Sequence, residues 1–313
     1  MKKHLISLIV IAGLTVNCAP SMAKSPQKHE GKAASQTKRH HVSYAKRKQR
    51  PVAANDDPSH LVVQSSAVIV QDELSGAVLF EKNAGAVLPI ASISKLMTAM
   101  VTLDANPNLN DILSIGEADV DELKGTRSRL KVGTQLTREE MLRLALMSSE
   151  NRAASALSRY YPGGSAAFVA AMNAKSKMLG LMDTHFEDPT GLTAANVSSA
   201  RDLVKMVAAA HSYPLIREFT TTAEYEVAVN DRVQTFRNTN PLVRAKDSSW
   251  EIGLSKTGYI NEAGKCLVMQ AWFNKKPTII VLLDSWGRLT RVGDANRIKR
   301  WIESSVARQQ KTS

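Results

Sequence analysis

The stretch PIASISKLMTAM, residues 89–100, places two serines and one lysine at the opening of an apolar, helix-periodic run. Apolar residues recurring every three or four positions predict a helix from about residue 92 to 105. Ser92 and Lys95 are three positions apart and share one face of that helix, so the Lys95 amine can reach the Ser92 hydroxyl. Ser94 is adjacent to Lys95 and points about 100° around the helix. The pattern therefore indicates Ser92 as a candidate nucleophile.

Lys95 is the candidate base, because a serine hydroxyl becomes a good nucleophile only when a base takes its proton. The lysine must be neutral to act in this way, which requires its pKa to fall by about 3 units from about 10.4. Burial and a second cation nearby would both lower the pKa. Lys256-Thr257-Gly258 supplies such a cation on a predicted strand, where it can also hold a substrate carboxylate. Gly258 leaves room for the backbone of a ligand.

A third motif, Ser149-Glu150-Asn151, lies at the break between two predicted helices. A hydroxyl there can relay a proton to a leaving amine, and an amide can hold Lys95 or a substrate carbonyl. Each motif alone is common, since S-x-x-K occurs by chance, K-T-G is a plausible turn and S-x-N is a frequent helix cap. Their joint occurrence in this order, each in a suitable structural context, is specific.

Strand signals lie at both ends of the chain, and helix signals lie between them. The predicted strands are residues 67–71, 77–82, 252–259, 265–273 and 278–284. The predicted helices after the first are residues 141–147, 151–160, 165–179, 199–211 and 294–306. This order predicts an α+β domain in which the two ends of the chain build one antiparallel sheet with helices packed on it. A helical subdomain is expected at about residues 105–215.

The ordered motifs resemble those of the penicillin-recognising serine enzymes, which comprise low-molecular-mass penicillin-binding proteins and serine β-lactamases. The sequence segments around these motifs resemble the D-alanyl-D-alanine endopeptidase type, also called the penicillin-binding protein 7 type, from about residue 65 to 303. The segments are PIASISKLMTAMV, LALMSSENRAA, YPGG, MNAKSKMLG, DPTGL, FRNTN, KTGYINEAGKCLVM and ARDL. The resemblance implies the β-lactamase/transpeptidase-like fold, a five-stranded antiparallel sheet flanked by helices plus a helical subdomain.

The resemblance also implies catalytic roles for four motif residues. Ser92 would be acylated, and Lys95 would be the base. Ser149 would pass a proton to the leaving group, and Asn151 would orient the substrate and Lys95. The family chemistry implies neither a metal nor any other cofactor.

The same resemblance implies a substrate site along the predicted K-T-G strand. Lys256 and Thr257 would bind a terminal carboxylate beside Gly258, and the backbone N–H groups of Ser92 and Tyr259 would form an oxyanion hole. The implied reaction is acyl transfer from a D-alanine carbonyl to serine, followed by hydrolysis. In an endopeptidase this reaction cuts a cross-link between the stem peptides of peptidoglycan, and β-lactams such as penicillin would trap its first step.

Three alternatives stay open at this point. A class A β-lactamase uses a glutamate in an E-x-x-L-N segment, whereas HFEDPTGLTAAN lacks the Leu-Asn pair after Glu187, and His185 lacks a partner at metal spacing. A D,D-carboxypeptidase is chemically closer, but members of that type commonly add a β-rich domain and an amphipathic anchor, and twelve residues follow Trp301. A non-catalytic β-lactam sensor would hang from a membrane helix, and no further apolar span of that length is evident.

The first 23 residues have the features of a cleaved secretory signal, with a basic start, an apolar stretch and the small residues of Ser-Met-Ala at its end. A lipoprotein site at Cys18 is disfavoured by Asn17 before it. The mature chain would then be periplasmic, with no transmembrane helix. Cys266 would be its one cysteine, and apolar neighbours indicate a buried small side chain there.

A basic tail is predicted at residues 24–58, ahead of a D,D-peptidase domain at residues 59–313. Residues 24–50 hold nine Lys and Arg against one Glu, so most of the chain's net charge of +12 lies in the signal and this tail. Such a segment buries too little apolar surface to fold. It is either a solvated linker or an attachment to a polyanion, such as an acidic wall polymer or anionic lipid. Because the signal would export the protein from the cell interior, nucleic acid is not expected to be the polyanion that the tail contacts.

Overall fold

The computed structural model describes residues 61–230, 232–245 and 249–312. The predicted signal peptide and basic tail lie outside these residues, and both stay predictions. Among the described residues, no helix combines the length and the apolar character needed to cross a bilayer.

The described residues form eleven strands and eight α-helices. The strands are β1 Ala67–Asp72, β2 Val78–Lys82, β3 Leu88–Pro89, β4 Ile112–Ser114, β5 Gln135–Thr137, β6 Val197–Ser198, β7 Glu224–Val229, β8 Arg232–Arg237, β9 Glu251–Ile260, β10 Gly264–Phe273 and β11 Lys276–Ser285. The helices are α1 Lys95–Asp104, α2 Arg138–Met147, α3 Asn151–Arg159, α4 Gly164–Met178, α5 Ala200–His211, α6 Pro214–Thr221, α7 Pro241–Arg244 and α8 Thr290–Thr312. Two 3-10 turns lie at Ala91–Ser94 and Glu117–Asp119.

The main sheet has five strands in the order β2-β1-β11-β10-β9, all antiparallel. Strand β1 from the start of the domain pairs with β11 from its end, in a register that joins Ala67 to Leu283 and Asp72 to Thr278. The predicted sheet built from both ends of the chain is therefore confirmed. Strand β9, which carries the K-T-G motif, is an edge strand of this sheet.

Each face of the sheet is covered by helices, because its central strands carry apolar residues on both sides. One face packs against α8, and the residues involved include Val68, Val70, Leu267, Met269, Ile280, Leu282, Ile298 and Ile302. The other face contributes to the larger core, which also holds side chains of α1 and α5. Residues Lys95 to Thr102 of α1 are all buried. The N-terminus of this buried helix is thereby fixed next to the sheet.

The segment just before β1 is held by helix α8. Asp294 in α8 has a fully buried carboxylate, which accepts hydrogen bonds from the backbone N–H of Gln64 at 3.0 Å and of Ser65 at 2.7 Å. The Ser65 hydroxyl donates to the same carboxylate at 2.5 Å. A buried charge needs such donors, because otherwise its desolvation is uncompensated.

Side chains cap the starts of two helices. Thr137 and Glu140 form a reciprocal capping box at the start of α2, and the Ser199 side chain accepts from the Asp202 N–H at the start of α5. The predicted first helix differs in detail, since it starts as a 3-10 turn and becomes α-helical only at Lys95. Helix α8 is longer than the predicted 294–306.

Candidate active site

Ser92 lies in the 3-10 turn Ala91–Ser94, which leads into α1 and contacts strand β9. The Nζ atom of Lys95 is 2.9 Å from Ser92 Oγ. Ser94 is fully buried and turned elsewhere, since its hydroxyl donates to the Ala91 carbonyl at 2.8 Å and accepts from Asn196 Nδ2 at 2.9 Å. The prediction that Lys95 reaches Ser92 and not Ser94 agrees with this geometry.

The Lys95 side chain is buried inside the protein rather than solvated. Burial lowers the pKa of Lys95 from 10.5 to about 7, although the charges of Asp188 and Glu150 act in the opposite direction and raise it. The cause is the loss of water around the ammonium group, which disfavours the charged form. A substantial fraction of the lysine is therefore neutral at neutral pH.

The three contacts of Lys95 direct its lone pair toward the serine. A neutral amine has two N–H donors and one lone pair. The nitrogen lies 2.7 Å from Asn151 Oδ1 and 2.6 Å from the Thr190 carbonyl oxygen, and both oxygens can only accept. The Ser92 hydroxyl is the partner that can donate. When the lysine is neutral, its lone pair is left for the Ser92 proton.

The amide of Asn151 is oriented by hydrogen bonds that begin at Asp121. The Thr126 hydroxyl donates to Asp121 Oδ2 at 2.6 Å, so its proton is already engaged. It therefore accepts from Asn151 Nδ2 at 3.1 Å, which leaves Asn151 Oδ1 facing Lys95. Asp121 and Thr126 were not singled out from the sequence, because no motif connects them to the S-x-N triplet.

The Thr190 carbonyl belongs to a loop, residues 187–193, that is folded around one carboxylate. Asp188 Oδ1 accepts from the N–H groups of Thr190 at 2.5 Å and Gly191 at 2.6 Å, and Asp188 Oδ2 accepts from the Thr193 N–H at 2.9 Å. The Thr190 carbonyl is consequently held between Lys95 and Ser92, at 3.4 Å from the Ser92 hydroxyl. Asp-Pro-Thr-Gly is a typical turn signal, but it does not reveal which backbone atom contacts the lysine.

Asn196 fastens this loop to the turn that carries Ser92. Its side chain is fully buried, accepts from the Asp188 N–H at 3.1 Å and donates to the Asp188 carbonyl at 2.8 Å. The same amide donates to Ser94 Oγ. Gly191 approaches so closely that an added Cβ would lie 2.0 Å from the Ala91 carbonyl oxygen. A glycine with φ of +81° is required at that position.

The K-T-G and S-x-N motifs are in direct contact. Lys256 is buried and donates from Nζ to Ser149 Oγ at 2.9 Å. Burial lowers the pKa of Lys256 well below its usual value, and the charges of Lys95 and Arg291 lower it further. A negatively charged ligand placed here would restore the ammonium form, because an opposite charge favours ionisation. The predicted second lysine is therefore near Lys95, but burial rather than Lys256 lowers the pKa of Lys95.

Gly258 has a different neighbour from the predicted one. The sequence suggested that a ligand backbone would approach it, whereas the segment of residues 90–92 fills that space. An added Cβ would lie 2.8 Å from the Ile90 carbonyl oxygen and 3.1 Å from the Ser92 nitrogen. The absence of a side chain at position 258 thus lets β9 lie directly against the nucleophile's backbone.

Thr257 and Tyr259 flank Gly258 on the strand. The Thr257 hydroxyl donates to Thr239 Oγ1 at 2.6 Å, a partner that the sequence did not reveal. Tyr259 has an exposed side chain, and its hydroxyl donates to Asn261 Oδ1 at 2.9 Å. Tyr259 directly follows Gly258, the residue at which β9 lies against the Ser92 backbone.

Arg291 is a further residue of this region that the motifs did not indicate. Its Nη1 donates to the Gly258 carbonyl at 2.9 Å and to the Cys266 carbonyl at 3.1 Å, so it supports the K-T-G strand from α8. Cys266 itself is buried, and burial raises the pKa of its thiol to about 11. This confirms the predicted buried cysteine.

His185 and Glu187 lie at the surface, at the beginning of the 187–193 loop region. His185 Nε2 and Glu187 Oε1 are 2.6 Å apart, and both side chains are about half exposed, at 55% each. Glu187 is thus paired at the surface with His185.

A serine paired with a buried lysine, an S-x-N turn and a K-T-G edge strand together define a penicillin-recognising serine enzyme. The chain belongs to peptidase family S11, the D-alanyl-D-alanine carboxypeptidase family, whose model matches residues 52–286.

Relatives with related names are similar over most of the chain. A D-alanyl-D-alanine endopeptidase of Pseudomonas aeruginosa is 47% identical over 249 residues, which are 79% of this chain and 80% of that protein. A D-alanyl-D-alanine endopeptidase of Escherichia coli is 44% identical over 84% of this chain and 85% of that protein. A crystal structure of the Streptomyces K15 DD-transpeptidase matches with a TM-score of 0.70 and 28% identity, covering 77% of this chain and 97% of the other. The predicted family and fold are confirmed.

Proposed function

We propose that this protein is a serine D,D-peptidase that cleaves the cross-link between D-alanine and diaminopimelate in peptidoglycan, a D-alanyl-D-alanine endopeptidase. The observation that carries the proposal is the buried Lys95, whose pKa is lowered to about 7 and whose lone pair can face Ser92 at 2.9 Å. The two endopeptidase relatives, at 47% and 44% identity, support the choice of substrate.

The first step is acylation of Ser92. Neutral Lys95 takes the hydroxyl proton as Ser92 Oγ attacks the D-alanine carbonyl carbon, and the negative charge develops on the carbonyl oxygen. The N–H groups of Ser92 and Tyr259 would stabilise that oxygen, at about 3 kcal/mol per donor. Asn151 holds Lys95 in place throughout this step.

Departure of the amine requires a proton on its nitrogen. Ser149 would relay to the amine the proton that Lys95 took from Ser92. The hydrogen bond that the Ser149 hydroxyl accepts from Lys256 supports this role. Lys256 and the Thr257 hydroxyl would bind the carboxylate of the leaving residue, which in turn keeps Lys256 charged. In hydrolysis water takes the place of the amine. Lys95, neutral again once its proton has passed through Ser149 to the amine, would accept a proton from the attacking water and return it to Ser92 Oγ as the acyl–serine bond breaks.

Digestion of purified cross-linked muropeptide dimers, followed by mass spectrometry, tests the proposal. The wild-type protein should split dimers into monomers, and Ser92→Ala should not. Ser75→Ala, which changes an exposed serine in the β1–β2 turn, is the matched control and should cleave as the wild type does. Intact dimers after incubation with the wild type would contradict the proposal.

A second candidate is a D,D-carboxypeptidase, which removes a terminal D-alanine. The description of the family favours it, as do relatives near 30% identity, including a D-alanyl-D-alanine carboxypeptidase of Bacillus subtilis at 32%. Pentapeptide-bearing dimers distinguish the two functions. A carboxypeptidase would leave the dimers joined and shorten them by one D-alanine.

We further propose that the protein acts in the periplasm and that its basic tail contacts a polyanion of the cell wall. The sequence supports this through the signal at residues 1–23 and the nine basic groups at residues 24–50. N-terminal sequencing of the exported protein tests cleavage near Ala23. Deletion of residues 24–50 should weaken retention on isolated sacculi, and unchanged retention would contradict the polyanion contact.

A further inference from the structure

An ion pair near the active site links the loop before β5 to the main sheet. Lys124 Nζ lies 2.5 Å from Glu262 Oε1. Lys124 belongs to the loop between the 3-10 turn at Glu117–Asp119 and β5, on the helical side, whereas Glu262 lies in the turn between β9 and β10. The Asp121 carboxylate accepts from the Lys124 N–H at 2.9 Å, so the backbone of the lysine is held in place.

The loop that carries Lys124 is part of the active site. Its Thr126 hydroxyl positions the Asn151 amide, as described above. Two residues further on, Ser128 donates to Glu150 Oε2 at 2.7 Å. Lys124 is therefore on a segment fixed to the S-x-N motif at two points, and its side chain extends from that segment toward the sheet.

The direction of the substrate follows from the proposed function, on which this inference rests. The carboxylate of the leaving residue would lie at Lys256 and Thr257, and the scissile carbonyl oxygen at the Tyr259 N–H. The leaving side thus lies toward the start of β9, and the acyl side extends past Tyr259 toward Glu262. Glu262 is three positions after Tyr259, a span of at most about 10 Å.

We propose that Lys124 is a specificity-determining residue. When substrate binds, the Lys124 ammonium exchanges its partner Glu262 for a substrate carboxylate. That carboxylate lies two or three residues from the scissile bond, on the acyl side. The stem peptide has the required chemistry, because its diaminopimelate and its γ-linked D-glutamate each carry a free carboxylate. The two side chains of the pair are 27% and 36% exposed. An ion pair that is this accessible to solvent is weak enough to be exchanged for a substrate group.

The test is steady-state cleavage of two matched muropeptide dimers, one with free acyl-side carboxylates and one with the same groups amidated. Lys124→Ala should raise KM for the free-carboxylate dimer about five- to tenfold with kcat within twofold, and should leave KM for the amidated dimer unchanged. Glu262→Gln removes the competing carboxylate and should lower KM about twofold. Lys131→Ala, at an exposed lysine of the same loop, is the matched control.

Two results would overturn this inference. An equal rise in KM for both dimers would show that Lys124 does not bind a carboxylate. An equal loss in Lys124→Ala and Glu262→Gln would show that the pair only holds the loop closed. Acylation by benzylpenicillin, whose acyl side chain has no carboxylate, reports whether each variant retains a folded site. Failure of the wild type to split either dimer would instead contradict the proposed function.

Discussion

The rate of acylation should depend on pH through the protonation of Lys95. Its pKa is about 7, compared with 10.5 for an unperturbed lysine, so burial disfavours the ammonium form by about 5 kcal/mol. Because the base must be neutral, the rate rises with pH until the lysine has lost its proton and is constant above that point. With a pKa near 7, about 1% of Lys95 is neutral at pH 5 and about half at pH 7. Acylation should therefore be roughly 100-fold slower at pH 5 than on the plateau.

Single-turnover acylation by a chromogenic β-lactam between pH 5 and 9 measures this profile directly. Glu150→Gln supplies an internal check, because the Glu150 charge raises the pKa of Lys95. Its removal should move the midpoint downward by about one unit. A rate that still rises tenfold per unit through pH 9 would mean that Lys95 retains an ordinary pKa. A rate that is flat between pH 5 and 8 would mean that Lys95 is not the base.

Three further predictions concern stability and packing. Lys95→Met should abolish acylation, because it removes the base. It should also raise the free energy of unfolding at pH 7 by about 1–3 kcal/mol. The reason is that burying the amine costs more free energy than leaving the oxygens of Asn151 and Thr190 without their donor. The pKa of Lys95 is lower in the folded than in the unfolded protein, so the wild type gains stability as pH rises from about 7 to 10.5. Chemical denaturation should therefore show that the difference in unfolding free energy between Lys95→Met and the wild type becomes smaller over that range. Gly258→Ala should slow penicillin acylation at least about tenfold, because its Cβ would lie 2.8 Å from the Ile90 carbonyl oxygen, and acylation at the wild-type rate would contradict this packing. Asp294→Asn should lower the melting temperature, at a cost of about 2–3 kcal/mol, because it weakens the bonds to Ser65, while acylation stays at the wild-type rate.

Much of the fold is encoded in short-range signals. Strands β1 and β2 lie at the two predicted N-terminal ranges with the turn Glu73–Gly76 between them, and the three C-terminal strands follow their apolar patterns closely. The hairpin of β7 and β8 was missed, although Val227, Val229 and Phe236 are its buried residues and have exposed residues on either side. Its strands form a separate two-stranded sheet, so they do not belong to a longer series of strands that would have indicated them.

Some residues of the candidate site could be predicted from the sequence, and others could not. Side chains with a chemical motif, such as Ser92 and Lys95, were predictable because helical spacing alone brings them together. The Thr190 carbonyl was not, because a backbone atom carries no residue signature. Arg291 contacts the Gly258 carbonyl from α8, and only the completed fold joins these distant segments.

The measurement that tests the central claim most directly is mass spectrometric mapping of the protein after reaction with benzylpenicillin. Trypsin should release residues 83–95 as one peptide that contains both Ser92 and Ser94. Fragment ions should place the penicilloyl group on Ser92, and Ser92→Ala should give no adduct. An adduct on Ser94 or Ser149, or an unmodified wild-type protein, would contradict the assignment of Ser92 as the nucleophile.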